Sequence, residues 1–410
     1  MSSIYREYPQ QFWVIVGSNF IDRVGGALIF PFFALYITRK FQVGMTEVGL
    51  LFALFSISDM FGTMIGGALT DYLGRKGMII MGLIVSALTS LAMGMVQQLE
   101  WFYVMGVISG LFATAAEPAH QAMLTDILPE KKRTEGFGVM RVAMNLSVAI
   151  GPAIGGFIAS YSYLILFIAD TVTSLITALI VYLVVEETKP EEKTETTKKG
   201  FKETFVGYGD VLKDRKFMLF VIISTIATIV YAQMYSTLSV YLRDVHGVPE
   251  SGYGWLMTLN AGMVVLFQFM ITRKISKHPP MLILALGSLF YVIGFGMYGF
   301  VSAYFLFMLA MAIITIGEMV IIPVAQAYVG DAAPEDMRGR YSGVMGFSWM
   351  IPWMIGPLLA GLIMDNGNPN WVWYGSAILG AIAALGFLWL RQSHDKNWVA
   401  PQEASIVETG

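Results

Sequence analysis

Cysteine is absent from this chain of 410 residues, and histidine occurs only four times. Disulfides, thiolate metal sites and cysteine nucleophiles are therefore excluded. Charge is scarce as well: Asp, Glu, Lys and Arg make up 13% of the residues, about half the quarter usual in soluble domains. The net charge of −3 is too small to argue for nucleic acid or an acidic partner. No His-Glu-x-x-His and no Gly-Lys dipeptide occurs. The metal-binding helix of zinc hydrolases and the phosphate loop of ATP-driven machines are both missing. Nothing here suggests an enzyme, a metal site or a bound cofactor.

What the chain has in plenty is apolar surface, with 56% hydrophobic residues and a mean hydropathy of +0.64. That composition suits a bilayer. Met1 to Gln11 is polar and the run after it is longer than a signal-peptide core, so no cleavable leader is expected. Apolar runs between charged or turn-rich breaks lie near 11–37, 47–71, 76–97, 101–126, 136–160, 162–186, 217–243, 251–272, 280–300, 303–329, 338–364 and 371–391. Each can cross a bilayer core of about 30 Å, which takes roughly 20 helical residues. The short alternating strands of a β-barrel do not appear. An all-α membrane protein with twelve transmembrane helices is expected.

Basic residues set the orientation. With the N-terminus inside, the two tails and the loops on that side hold 21 of the 26 Lys and Arg. The opposite loops hold only Arg39, Lys40 and Arg243. Both termini are expected to be cytoplasmic, in a cell membrane.

The longest connection, 187–216, begins charged and poor in apolar residues, as a solvated linker would. Its second part sets Phe201, Phe205, Tyr208 and Val211 among basic residues, which suits a helix on the membrane surface. It divides the chain into six-helix halves, 1–186 and 217–410. Shifting residues 118–158 by 205 positions matches 15 of 41 without a gap, among them Pro118 with Pro323, Gln121 with Gln326 and Asp126 with Asp331. A parallel repeat of this kind implies two pseudo-symmetric bundles with a central site reached alternately from each side.

The stretch "GALTDYLGRK", 67–76, lies between the second and third spans. Its Gly67, Asp71, Gly74, Arg75 and Lys76 resemble the signature loop of the major facilitator superfamily, and the span count, repeat and middle loop extend the resemblance over nearly the whole chain. Gly67 would allow close helix approach and Gly74 a sharp turn. The resemblance implies that Asp71 meets the start of span eleven and that Arg75 bridges to an acid ending span four, here Asp126. Lys76 reads as a positive-inside anchor. A second motif, "GPAIGG" at 151–156, resembles the antiporter signature of the twelve-helix drug:proton antiporters, through Gly151, Pro152, Gly155 and Gly156. Part of that signal is general helix packing, because the repeat carries "GPLLAG" at 356–361. One departure is Gly106, near where the family places an arginine in span four.

Ionisable residues within spans are costly and are functional candidates by default. At 1.5 Å per residue, Asp22, Glu117 and Glu318 lie about 14 to 16 Å deep. In this superfamily spans one, four, seven and ten line the cavity. Arg23 is level with Glu117 and suited to pair with it, and His120 shares a helix face with Glu117. Proton path and static polar cluster are both open readings. Arg141 and Asn145 share a face of span five. Asp59 lies in span two and Asp170 in span six, the latter read as structural.

The 27 Met, 27 Phe, 19 Tyr and 9 Trp suit a promiscuous apolar pocket, and Tyr231, Tyr235, Trp349 and Trp353 are its candidate walls. The expectation is a proton-coupled antiporter, acting as a monomer on small lipophilic or cationic compounds. The alternative is a proton-coupled symporter for peptides or similar solutes. "NFIDRV", 19–24, resembles the peptide family's span-one pattern, with Asn19 replacing its first acid.

Overall fold

The computed structural model describes residues 7–129, 132–189, 209–334 and 337–394. Among these every regular element is helical, and twelve helical runs are long and apolar enough to cross a bilayer. Helix is what lipid demands, since it satisfies each backbone group within its own segment. Span one is Gln10–Phe41, interrupted by a 3₁₀ turn at Phe30–Phe32 that holds Pro31. Span two is Met45–Leu73, span three Arg75–Met95 and span four Leu99–Ile127, the last interrupted at Thr114–Ala116. Spans five and six are Arg133–Tyr161 and Tyr163–Val184.

Span seven, Arg215–Ser236, ends earlier than the apolar run suggests, and a separate helix, Leu238–His246, follows. Between them Thr237 donates its hydroxyl to Gln233 Oε1 at 2.7 Å, a local bond that competes with the helical ladder. Spans eight to twelve are Glu250–Ile275, Pro280–Tyr298, Tyr304–Ala332, Arg338–Asn366 and Asn370–His394. Residues 209–213 are helical. The rest of the expected surface helix lies outside the described residues.

The chain forms two compact units. The first comprises Met1–Thr197, Ala232–Ala261 and Trp353–Pro369; the second comprises Lys198–Tyr231, Gly262–Pro352 and Asn370–Gly410. Phe12, Met78, Leu83, Ala119 and Met123 are fully or nearly buried in the first unit. Phe217, Phe220, Met281, Val329 and Phe387 play that part in the second. Large apolar side chains such as Phe157, Leu179, Phe269 and Phe300 point outward, as a lipid-facing surface requires.

Small residues let the helices approach, because lipid supplies no hydrophobic drive between them. In the first unit a Cβ on Gly156 of span five would stand 2.9 Å from Gly254 Cα of span eight. One on Gly49 of span two would stand 2.3 Å from Leu358 Cα of span eleven, and one on Gly361 would stand 2.3 Å from Met45 O. These crossings are reciprocal: the 205-residue offset carries Gly156 onto Gly361 and Gly49 onto Gly254.

Candidate functional site

The loop at 67–76 is built around one left-handed backbone position. Gly74 has φ +86°, and a Cβ there would stand 2.4 Å from Glu187 Oε2. Glu187 caps span three: its carboxylate accepts from Arg75 N at 2.9 Å and Lys76 N at 3.1 Å. Partial burial pushes the Glu187 carboxyl up, but backbone N–H donors of Lys189, Arg75, Lys76 and Thr188 outweigh it and hold the group below its usual range. Arg75 Nε lies 3.2 Å from Asp126 Oδ2, and Thr188 donates its hydroxyl to the same oxygen at 3.1 Å. Lys76 Nζ donates to Tyr182 O at 2.8 Å, and Lys189 Nζ to Tyr72 O at 3.1 Å.

The close approach expected at Gly67 is not found among the described residues, since its own helix backbone and chain neighbours aside none of their heavy atoms comes within 4 Å of its Cβ position. It occurs one residue earlier, at Gly66, whose Cβ would stand 2.2 Å from Ala115 O. One residue is about 100° around a helix, enough to turn Gly67 off the contact face. The side chain of Asp71 lies outside the described residues, and with it the expected contact to span eleven. Glu187 was not anticipated, because an acid ending an apolar run gives no sign of which helix it caps.

A polar cavity of about 520 Å³ opens among spans one to five, lined by Asn19, Asp22, Arg23, Asp59, Glu117 and His120 among others. Arg23 Nη2 lies 2.9 Å from Glu117 Oε2. The two side chains are 40% and 41% exposed, so the pair is worth at most about 1 kcal/mol. Glu117 begins a fresh α-helix after the 3₁₀ turn, with Pro118 beside it, and a carboxylate is favoured at such a start. Ser174 of span six donates to Asp22 Oδ1 at 2.7 Å. His120 Nδ1 and Asn19 Oδ1 are buried with no hydrogen-bond partner among the described residues. Arg141 and Asn145 lie exposed, one turn apart on span five.

The glycines of the 151–156 motif are packing positions. A Cβ on Gly151 would stand 2.4 Å from Ala27 Cβ, and one on Gly155 would stand 2.4 Å from Leu28 O, both in span one. Pro152 lies inside the helix of span five. Gly106 is pressed against span two, where its Cβ would stand 1.7 Å from Phe55 Cε1. An arginine side chain has no room there while Phe55 holds its place.

The four candidate aromatics divide between the units. In the first, Trp353 lies 5.3 Å from Phe30 and 6.1 Å from Tyr235, ring centre to ring centre. Trp353 also lines a second cavity of about 390 Å³, together with Phe30, Phe52, Phe55, Asp59 and Asp170. In the second unit Tyr231 packs edge-on against Trp349 at 6.1 Å and donates its hydroxyl to Glu318 Oε1 at 3.0 Å. The cavity beside that pair is small, about 50 Å³.

Across the first unit, at the end of span two remote from Gly74, polar contacts join segments far apart in sequence. Asp365 caps span two, accepting from Met45 N at 2.9 Å and Thr46 N at 2.7 Å. Arg39 Nη1 lies 2.7 Å from Glu250 Oε1, which also accepts from the Tyr163 hydroxyl at 2.9 Å.

Comparison with known proteins fits this architecture. The family model for the Major Facilitator Superfamily matches residues 15–357 and 246–408. A Na(+), Li(+), K(+)/H(+) antiporter of Planococcus maritimus is 28% identical over 91% of this chain and 94% of its own length. Quinolone resistance protein NorA of Staphylococcus aureus (strain MSSA476) is 24% identical over 92% and 96%. Among solved structures, nucleoside transporter NupG superposes with a TM-score of 0.75 at 12% identity, over 93% of this chain and 99% of that one. At that identity the likeness concerns the fold. With twelve membrane-spanning helices in two pseudo-symmetric six-helix bundles, this chain belongs to the major facilitator superfamily of membrane transporters.

Proposed function

We propose that the protein is a proton-coupled antiporter that expels small lipophilic or cationic compounds by alternating access. It works as a monomer in the cell membrane with both termini cytoplasmic. Residues 1–186 and 217–410 are its two halves, joined by the linker 187–216. The observation that carries this reading is the set of acids inside the spans: Asp22 and Glu117 in one cavity with Arg23, and Glu318 beside Tyr231. Such groups can take up and release protons, and exchange of a proton for a cation leaves the charge of the site unchanged. One relative is named as an antiporter of Na(+), Li(+) and K(+) against H(+), which supports exchange of a cation for a proton, and another is named as a quinolone resistance protein. Arg75 with Asp126 and Glu187 forms the cytoplasmic gate, and Tyr235 and Trp353 belong to the wall that meets substrate.

The test is solute movement in proteoliposomes under an imposed pH gradient, with a lipophilic cation and a dipeptide as cargo. Cation export driven by inward proton flow is expected, lost in Glu318→Gln and in Asp22→Asn. Dipeptide moving with the protons would replace the antiport reading by symport. Flux of either cargo that ignores the gradient would overturn coupling.

A further inference from the structure

Besides the Glu117 that Arg23 neutralises, three acids line the two cavities of the first unit: Asp22, Asp59 and Asp170. None of the three forms an ion pair with Lys or Arg among the described residues. Asp59 and Asp170 face one cavity, the one of about 390 Å³. Hydroxyls of Ser56, Ser86, Thr89 and Ser90 line it with them. Asp170 is only 8% exposed and Ser90 only 7%. The Ser90 oxygen, beside Asp170, completes no hydrogen bond of normal geometry. Room for Asp170 comes from Gly25 of span one, where a Cβ would stand 2.8 Å from Asp170 Oδ1.

A carboxylate inside a span must be balanced by a proton, a partner cation or a bound one. Among the described residues no Lys or Arg forms an ion pair with Asp59 or Asp170 to supply the balance. Carboxylate and hydroxyl oxygens are hard donors suited to alkali ions, and the ring faces of Phe30, Phe52, Phe55 and Trp353 suit an ammonium or other organic cation. A divalent ion fits poorly, since the described residues contain no grouping of three acids or histidines able to hold a metal.

We propose that this cavity is a monovalent-cation site belonging to the first half of the chain, where Asp59 and Asp170 give up a proton as the cation enters. One proton leaves for each cation bound, so the charge of the site is conserved. Asp22 of span one is a charged group close enough to act on Asp170. Arg23, Glu117 and His120 line the adjoining polar cavity, which shares Asp59 and Ser86 with this one. Asp59 therefore stands where the two cavities meet and can pass a proton between them. The proposal rests on the antiport reading for its purpose, but binding itself requires no gradient.

The experiment uses the full chain in lipid nanodiscs in weak buffer, with a pH-indicating dye. Sodium chloride, potassium chloride and tetraphenylphosphonium chloride are added separately. Proton release is expected with at least one of them, saturating at one proton per bound cation. It is lost in Asp59→Asn and in Asp170→Asn, restored in Asp59→Glu, and kept in Asp210→Asn, an exposed acid outside both cavities. Ser90→Ala should raise the half-saturating concentration several-fold without changing the number of protons. Release with sodium or potassium identifies an alkali-ion site, and release with tetraphenylphosphonium alone an organic-cation site. No release with any of the three, or release that persists in either Asn variant, overturns the proposal. Release intact in a protein that fails the gradient-driven transport assay would count against antiport and leave this site standing.

Discussion

Replacing Gly156 by Val places a side chain where span five meets span eight. Its Cβ would stand 2.9 Å from Gly254 Cα and 3.2 Å from Phe32 Cζ. Ordinary carbon contacts are about 3.5–4.0 Å, and a backbone atom cannot swing aside as a flexible side chain does. The helices must separate by roughly 0.6–1 Å, and overpacking of that kind costs about 1–3 kcal/mol. If the crossing seals one face of the transporter, the equilibrium shifts toward opening by about 5- to 150-fold. The absence of native cysteine makes this directly measurable. A single Ser56→Cys reporter lines the cavity beside Trp353, and its reaction with a membrane-impermeant maleimide in proteoliposomes should quicken by that factor. Gly361→Val should act in the same direction, because its Cβ meets Met45 O at 2.3 Å. Gly375→Ala, with nothing within 4 Å, should not. Equal labelling rates in Gly156→Val and Gly375→Ala, in protein that remains monodisperse, would refute the idea that this crossing is a seal.

Three further outcomes are expected. Glu187→Ala removes the cap of span three and lowers stability by less than about 1 kcal/mol, because the carboxylate is partly exposed. Since the Glu187 carboxyl is held below its ordinary 4.5, its contribution is complete above that pH and lost as the pH falls through the native value. The melting temperatures of wild type and variant should converge as the pH is taken progressively below 4.5, and a gap that stays constant would contradict the cap. Gly74→Ala forces a side chain into φ +86° against Glu187 and should cost about 1–3 kcal/mol; an unchanged melting temperature would refute the strain. Gly106→Arg, which restores the family's arginine, should lower stability by about 1–3 kcal/mol through its clash with Phe55. Full stability and transport in that variant would show that packing is not what keeps this position small.

Much of the fold was legible in the sequence because the bilayer imposes a length. A run of roughly 20 apolar residues has almost no option but a spanning helix, so the segments follow within a few residues except at the end of span seven, where the helix stops at Ser236. The breaks inside spans were harder. Pro31 and Pro118 mark two of them, yet Pro152 and Pro323 sit within unbroken helices, so proline alone does not locate an interruption. At the site, Arg23 and Glu117 could be paired from depth, because two charges level in a membrane have few other partners. Gly67 could not be placed, since its neighbour Gly66 offers the same chemistry and only helix phase decides between them. Caps such as Glu187 on Arg75 and Asp365 on Met45 join positions 112 and 320 residues apart. No local pattern encodes such a pairing. Asp170 looked structural because span six is peripheral in the superfamily, but the neighbouring glycine at 25 leaves its carboxyl facing a cavity.

The reciprocal crossings have a further consequence. A duplicated chain contains its own comparison: wherever the two copies have drifted apart, the original constraint has lapsed, and wherever they agree it has been upheld twice in different surroundings. Of the 41 positions paired between 118–158 and 323–363, 15 still agree. Gly156 and Gly361 are among them, and Gly49 and Gly254 match at the same offset. Their present neighbours differ, a glycine carbon in one case and a leucine backbone or a methionine carbonyl in the others. What the two copies share at these positions is therefore room for two helices to approach closely, with different partners filling it in each copy.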